Sequence, residues 1–355
     1  MTRHRRDPLL WAGVAVAVVL LVVGAVALRP RLFPSAQPLV AAAWLPAWDD
    51  RAATSLDRAL TEGGLTEVSP TWATVSPDGT FAVTPPTPAV LDTIEAAGAE
   101  LIPTVQNFAD GEWQGELIAD LLADRTRAQA HRAALVDLAL ANDWDGVDVD
   151  YESLPPTAGP QFTDFLRALA DDLHGHDMVL TVAVPARDSD EDRNGLAYSY
   201  QVIGQIADQV RVMTYDHSWD SSDAGPVAPA DWVEDVVAHA VDEVPAEKLM
   251  LGLATYGYDW VGQEGRNLGA ADAVALAEQV GARPRWDDEA AAWTFDYDRD
   301  GEQHTVWYED ARSLERKQEI AVAHDLRGVA IWSLGGEDPQ VWPTVATATS
   351  TRVQS

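Results

Sequence analysis

Past residue 38 the chain alternates short, nearly continuous apolar runs with longer amphipathic stretches. Eight runs read as strands: 39–44, 67–75, 100–105, 146–152, 178–185, 210–215, 249–256 and 328–334. Helix-period stretches lie between most of them, for example 126–142, 160–174, 229–244 and 310–325, with Asp231 or its polar neighbours and Asp310 as candidate N-caps. Strands rich in Val, Ile and Leu that alternate with helices imply a parallel sheet covered on its outer face. Eight such units predict an α/β chain folded as a (β/α)8 TIM barrel. One stretch breaks the rhythm. Between Val261 and His304 a helix-like piece (270–280) is followed by aromatic, strand-like runs at 292–297 and 304–308. This predicts a small α+β insertion, about 261–306, between strand seven and its helix, standing as a wall beside the C-terminal mouth of the barrel.

The first 38 residues follow a different pattern. Residues 9–28 carry no charge, and 20 helical residues span about 30 Å, the thickness of a bilayer core. Arg3, Arg5 and Arg6 precede the run and favour a cytoplasmic N-terminus, a bias that Arg29 and Arg31 weaken slightly. The expected organisation is a cytoplasmic tail (1–8), a transmembrane signal anchor (9–28), a linker (29–38), the barrel (39–345) and a tail (346–355). The expected location is the cell membrane, single-pass, with the barrel outside the cytoplasm. If Ala25-Val26-Ala27 is instead a signal-cleavage site, the barrel is secreted. There are no cysteines, which excludes thiol catalysis and thiolate metal sites. The net charge is −33, and Lys248 and Lys317 are the only lysines. Such a surface repels nucleic acid and anionic headgroups and suits a neutral or cationic substrate.

Candidate chemistry concentrates in one run, Asp145-Gly-Val-Asp148-Val-Asp150-Tyr-Glu152. On a strand Asp148, Asp150 and Glu152 share one face, and Val147, Val149 and Tyr151 the other. Asp145 is out of phase and falls in the preceding turn. Three acids crowded on one face repel one another, and burial adds a desolvation cost. A fold accommodates them if they share protons, bind a metal or do chemistry; a solvated acidic edge strand is the plain alternative. In a barrel enzyme the site lies at the C-terminal strand ends. There the chain places Trp44 and Trp48 after strand one, Asn107 after strand three, Met213, Tyr215 and Asp216 on strand six, Tyr256 and Tyr258 on strand seven, and Trp332 on strand eight. A single one of the 14 tryptophans is more often core. Acids, tyrosines and tryptophans gathered at one end suit a sugar, because aromatic faces stack on pyranose C–H groups and carboxyls carry proton transfer.

The Asp-x-x-Asp-x-Asp-x-Glu strand, Met213-x-Tyr215-Asp216 and Trp332 resemble family 18 glycoside hydrolases over roughly residues 39–345. Segments 224–229 (Ala-Gly-Pro-Val-Ala-Pro), 304–310 (His-Thr-Val-Trp-Tyr-Glu-Asp) and 328–338 (Gly-Val-Ala-Ile-Trp-Ser-Leu-Gly-Gly-Glu-Asp) are most similar to the cell-wall and spore-cortex lytic group of that family. Members of that group often carry LysM repeats, and none is legible in this chain. The resemblance implies an N-acetylglucosaminidase or chitinase that needs no cofactor and no metal. It assigns Glu152 as general acid, Asp150 as the group that orients the substrate acetamide, Asp148 as its proton-sharing neighbour, and Tyr215 as donor to the acetamide oxygen. Trp332 would floor the −1 subsite, with Met213, Asp216, Asn107, Trp44 and Tyr256 as further substrate-binding residues. The implied partner is an N-acetylglucosamine polysaccharide, peptidoglycan ahead of chitin. Two other readings stand beside it: a non-catalytic lectin of the same fold, which typically has lost the acid Glu, and a hydrolase holding a metal on Asp148, Asp150 and Glu152. No His cluster accompanies those acids, and His217 is the only histidine near a predicted strand end.

Overall fold

A computed structural model describes residues 39–189 and 196–351. Eight parallel strands close on themselves in chain order: Val40–Leu45, Glu67–Val75, Thr104–Gln106, Gly146–Asp150, Val179–Pro185, Gln209–Met213, Leu249–Ala254 and Gly328–Trp332. Closure is direct, since the first strand pairs with the last (Val40 opposite Gly328) and with the second (Ala42 opposite Glu67). A closed parallel ring leaves no free edge and buries both faces. Outward residues such as Val147, Val149, Leu180, Val182 and Val212 pack under the helices in the main core. Inward residues include Ala42, Trp44, Ala183, Met250 and Ala330, which form a second, smaller cluster.

The barrel interior is not wholly apolar. Below the mouth, Arg211 donates to Ser69 at 2.6 Å and to Glu67 at 3.1 Å, and Gln209 donates to Glu67 at 2.6 Å. All four side chains are buried. Burying such charges is tolerable only when they are paired and hydrogen-bonded, and here strands two and six are tied across the lumen.

Several expected elements end elsewhere, for local reasons. Strand three splits into Glu100–Leu101 and Thr104–Gln106, because Pro103 between them has no N–H to give the ladder. Strand four stops at Asp150 rather than 152, strand six at Met213, strand seven at Ala254 and strand eight at Trp332. Beyond strands four and six the next residues, among them Glu152, Tyr215 and Asp216, line the mouth. Asp310 caps its helix by accepting from Ser313 N. Asp231 is no cap: Pro229 holds that position, and Asp231 sits in the first turn, where its charge still favours the helix dipole. The last helix, Val341–Thr351, runs past the expected boundary at 345.

The insertion is a five-stranded antiparallel sheet with one helix, Ala270–Val280. It begins at Tyr256 and ends at Tyr308, wider than the aromatic runs alone suggest. Its first strand, Tyr256–Val261, is an inner one that pairs with Glu264–Gly269 on one side and Glu302–Tyr308 on the other. Gly257 permits this packing, since a Cβ there would lie 2.1 Å from the Trp307 carbonyl oxygen. The expected anchor, 9–28, lies outside the described residues. Among the described residues no helix is long and apolar enough to cross a membrane.

Candidate active site

At the C-terminal mouth of the barrel lies a cavity of about 480 Å³. Asp150, Glu152, Tyr215, Asp216, Met213, Trp44 and Trp332 all line it. Seven of the ten expected site residues therefore meet in one place. Trp44 and Trp332 are edge to face, with ring centroids 6.0 Å apart.

Asp148 is the first of three exceptions. It is fully buried beneath the cavity. Its carboxylate accepts from Thr181 at 2.5 Å, from Thr104 and the Trp44 indole at 2.8 Å each, and meets Arg211 at 3.4 Å. The expected sharing of a proton with Asp150 is thus not what the geometry shows: four donors occupy Asp148. Its nearest effect on the site is to lock the Trp44 ring, and to place a fixed negative charge below Asp150.

The carboxyl that meets Asp150 is Glu152, through a hydrogen bond between the two. The other oxygen of Asp150, Oδ1, is buried and has no hydrogen-bond partner. Burial pushes the Asp150 carboxyl up, and the charges of Glu152 and Asp148 push it further. Burial is also the main cause at Glu152, followed by the negative Asp216, and together they raise it to about 8 although the bond to Asp150 pulls the other way. One proton therefore stays on this pair at neutral pH. Burial and the surrounding acids likewise keep the Tyr215 hydroxyl protonated, a donor facing the cavity.

Asn107 is the second exception. It is fully buried and does not line the cavity. Its amide donates to the Glu152 carbonyl at 2.9 Å, and its oxygen accepts from the Glu152 N–H at 2.8 Å. Glu152 has left the sheet ladder, and this side chain satisfies the two backbone groups that the ladder no longer pairs. Ser153 then turns through a left-handed φ of 58°, which aims the acid into the mouth.

Tyr256 is the third. It belongs to the insertion's first strand, and its hydroxyl donates to Asp216 Oδ1 at 2.6 Å; Tyr258 donates to the same oxygen at 3.0 Å. Neither lines the cavity. Trp48 is exposed and off the site, and His217 stacks near Trp232, 5.2 Å between centroids.

Sequence reasoning missed Trp113, Trp232 and Tyr198, which complete the wall. Trp113 stands on a short hairpin, Phe108–Ala109 with Glu112–Trp113, whose turn passes through Asp110 and Gly111 at positive φ. The Asp-Gly pair was the legible signal for that hairpin. Trp232 lies in the first turn after strand six, and helix N-termini crowd the same end of a barrel. Tyr198 donates to the Tyr151 carbonyl at 2.6 Å, and nothing in its sequence context marks it. Among the described residues no group of three or more His, Asp or Glu side chains is arranged to hold a metal ion.

A parallel barrel with a protonated carboxyl pair, a tyrosine donor and a tryptophan-lined mouth defines a carbohydrate-processing site. The chain belongs to the glycosyl hydrolases family 18, whose model matches residues 109–338. It is 26% identical to the uncharacterized glycosylase YvbX of Bacillus subtilis over 69% of this chain and 74% of that one. It is 30% identical to a cortical fragment-lytic enzyme of the same organism over 73% of this chain, and it spans 62% of that protein, under two thirds of its length. A chitinase from Chromobacterium violaceum superposes with a TM-score of 0.82 at 29% identity, covering 88% of this chain and 99% of the other.

Proposed function

We propose that this chain is an exported glycosidase that cleaves β-1,4 bonds in N-acetylglucosamine polymers, peptidoglycan foremost, by substrate-assisted retention. One observation carries the chemistry: the Asp150 and Glu152 carboxyls line one cavity with Tyr215, and burial together with the Asp216 charge holds the Glu152 proton up to about pH 8. In this reading the Asp150 carboxyl, which lines the cavity, accepts the acetamide N–H of the substrate.

The steps then follow from the positions. Glu152 gives its proton to the glycosidic oxygen as the bond to the anomeric carbon breaks. The acetamide carbonyl oxygen, held by Tyr215, attacks that carbon and forms an oxazolinium ion, the route by which family 18 departs from the two-carboxylate scheme. Asp150 carries the charge that balances the cation. Water then adds to the anomeric carbon from the opened side, and its proton goes to Glu152. Trp332 and Trp44 present the apolar surface for the sugar ring.

The cortex-lytic name of a relative favours a wall polymer, and the match to a chitinase over its full length keeps chitin as the second reading. Export is supported by the basic cluster at Arg3–Arg6 ahead of the uncharged run 9–28. A lectin role is disfavoured because Glu152 is present and faces the cavity. The test is to incubate the full chain with purified peptidoglycan and, separately, with N-acetylated chitin oligosaccharides, and to identify products by mass spectrometry. Muropeptides ending in N-acetylglucosamine are expected. Products from chitin alone would move the substrate to chitin, and sugar binding without products would establish the lectin.

A further inference from the structure

The insertion touches the site through Asp216, and the way it does so is unusual. Asp216 is a non-glycine residue at a left-handed φ of 57°, a conformation that costs about 1 kcal/mol or more and persists only when its surroundings impose it. Two phenol hydroxyls, from Tyr256 and Tyr258, converge on a single oxygen of its carboxylate. The two tyrosines sit two apart on one strand, so they share a face, and their rings meet edge to face at 5.7 Å. That strand is paired on both sides, which makes it a rigid mount. Three further bonds tie the loop after Asp216 to the insertion: Trp260 Nε1 donates to the Trp219 carbonyl at 3.0 Å, Gly265 N to the Asp220 carbonyl at 2.6 Å, and Gln263 to the Asp223 carboxylate at 2.7 Å. The Tyr256 ring also backs Tyr215, 6.4 Å between centroids.

We propose that Tyr256 and Tyr258 are positioning residues for the reaction: their paired hydroxyls hold the Asp216 carboxylate at the cavity wall beside Glu152, and so link the insertion to the proton-transfer group of the barrel. The inference rests on the reading of Glu152 as general acid. Asp216 is the foremost charge acting on Glu152. The groups around the pair are Asp150 on strand four, Tyr215 at the end of strand six, Asp220 in the loop beyond, and Tyr198 across the cavity. None of these bonds Asp216 as the two tyrosines do. Loosening its carboxylate takes a negative charge away from Glu152, so Glu152 loses its proton at lower pH.

The experiment is a pH–rate profile of the full chain on N-acetylated chitopentaose, for wild type, Tyr256→Phe/Tyr258→Phe, Asp216→Asn, and the tyrosine changes in the Asp216→Asn background. The basic limb of kcat is expected to move down by about one pH unit in the double tyrosine variant and in Asp216→Asn, which lowers kcat about twofold near neutrality and about tenfold on the basic side of the wild-type limb. In the Asp216→Asn background the tyrosine changes are expected to shift the limb no further. A double variant that unfolds at the wild-type temperature and keeps the wild-type limb overturns the proposal, as does an equal shift with Asp216 already neutral. If the double variant does not fold, Tyr258→Phe alone is read in the same way. Glu152→Gln serves as control: turnover retained there overturns the general-acid reading itself, whereas turnover lost there with an unmoved limb in the tyrosine variants overturns only this inference.

Discussion

Glu152→Gln is expected to lower turnover of an N-acetylated oligosaccharide by about three orders of magnitude, within the range that general acid catalysis contributes. The amide is nearly isosteric with the acid, so the hydrogen bonds that hold the backbone of residue 152, both from Asn107, are untouched. What disappears is the carboxyl proton that the proposed mechanism gives to the leaving oxygen. Burial and the neighbouring Asp216 keep that proton on Glu152 up to about pH 8. The sign follows: the wild-type rate is maintained below that pH and falls as pH rises through it, whereas the variant has no such limb. Initial rates, the thermal unfolding midpoint and calorimetric sugar binding together check this. Lost turnover with retained folding and binding is the expected pattern, and retained turnover would remove Glu152 from the mechanism.

The second large effect is on the substrate side. An oligosaccharide stripped of its N-acetyl groups is expected to be cleaved at least about 10⁴-fold more slowly than the acetylated one. In the proposed mechanism the acetamide is the nucleophile, and a well-oriented intramolecular group has an effective molarity of about 10⁵ M or more. The Asp150 carboxyl and the Tyr215 hydroxyl, which line the cavity, also lose their expected partners in the stripped sugar. Comparable rates on the two substrates would point instead to direct attack by a carboxylate, with Asp150 or Asp216 as the candidate.

Much of this was legible in the chain. Val147, Val149 and Tyr151 alternating with Asp148, Asp150 and Glu152 told which face of strand four was chemical, because strand periodicity is a local property. The eight-fold rhythm gave the barrel for the same reason. What was not legible is what each inward side chain meets. Asp148 was expected to work with Asp150, two residues away, but its carboxylate is occupied by Trp44, Thr104, Thr181 and Arg211 from four other strands. Asn107 and Tyr256 lie beside the mouth, where Asn107 holds the Glu152 backbone and the Tyr256 hydroxyl holds Asp216. Nearness to a strand end does not say whether a polar side chain points into the cavity or serves the backbone and carboxylates beside it. Trp113 and Trp232 escaped because a two-residue hairpin strand and the first turn of a helix, not a barrel strand end, carry them to the wall.

The central claim, retention through the substrate's own acetamide, is tested most directly by the anomeric form of the first product. Proton NMR of an N-acetylated chitin oligosaccharide during the first minutes of hydrolysis, before mutarotation, reads it. The β-anomer in excess from the earliest spectra is the predicted result, since ring closure and water attack each invert the anomeric carbon once. The α-anomer first would mean a single inversion, with water attacking directly, and would contradict the account.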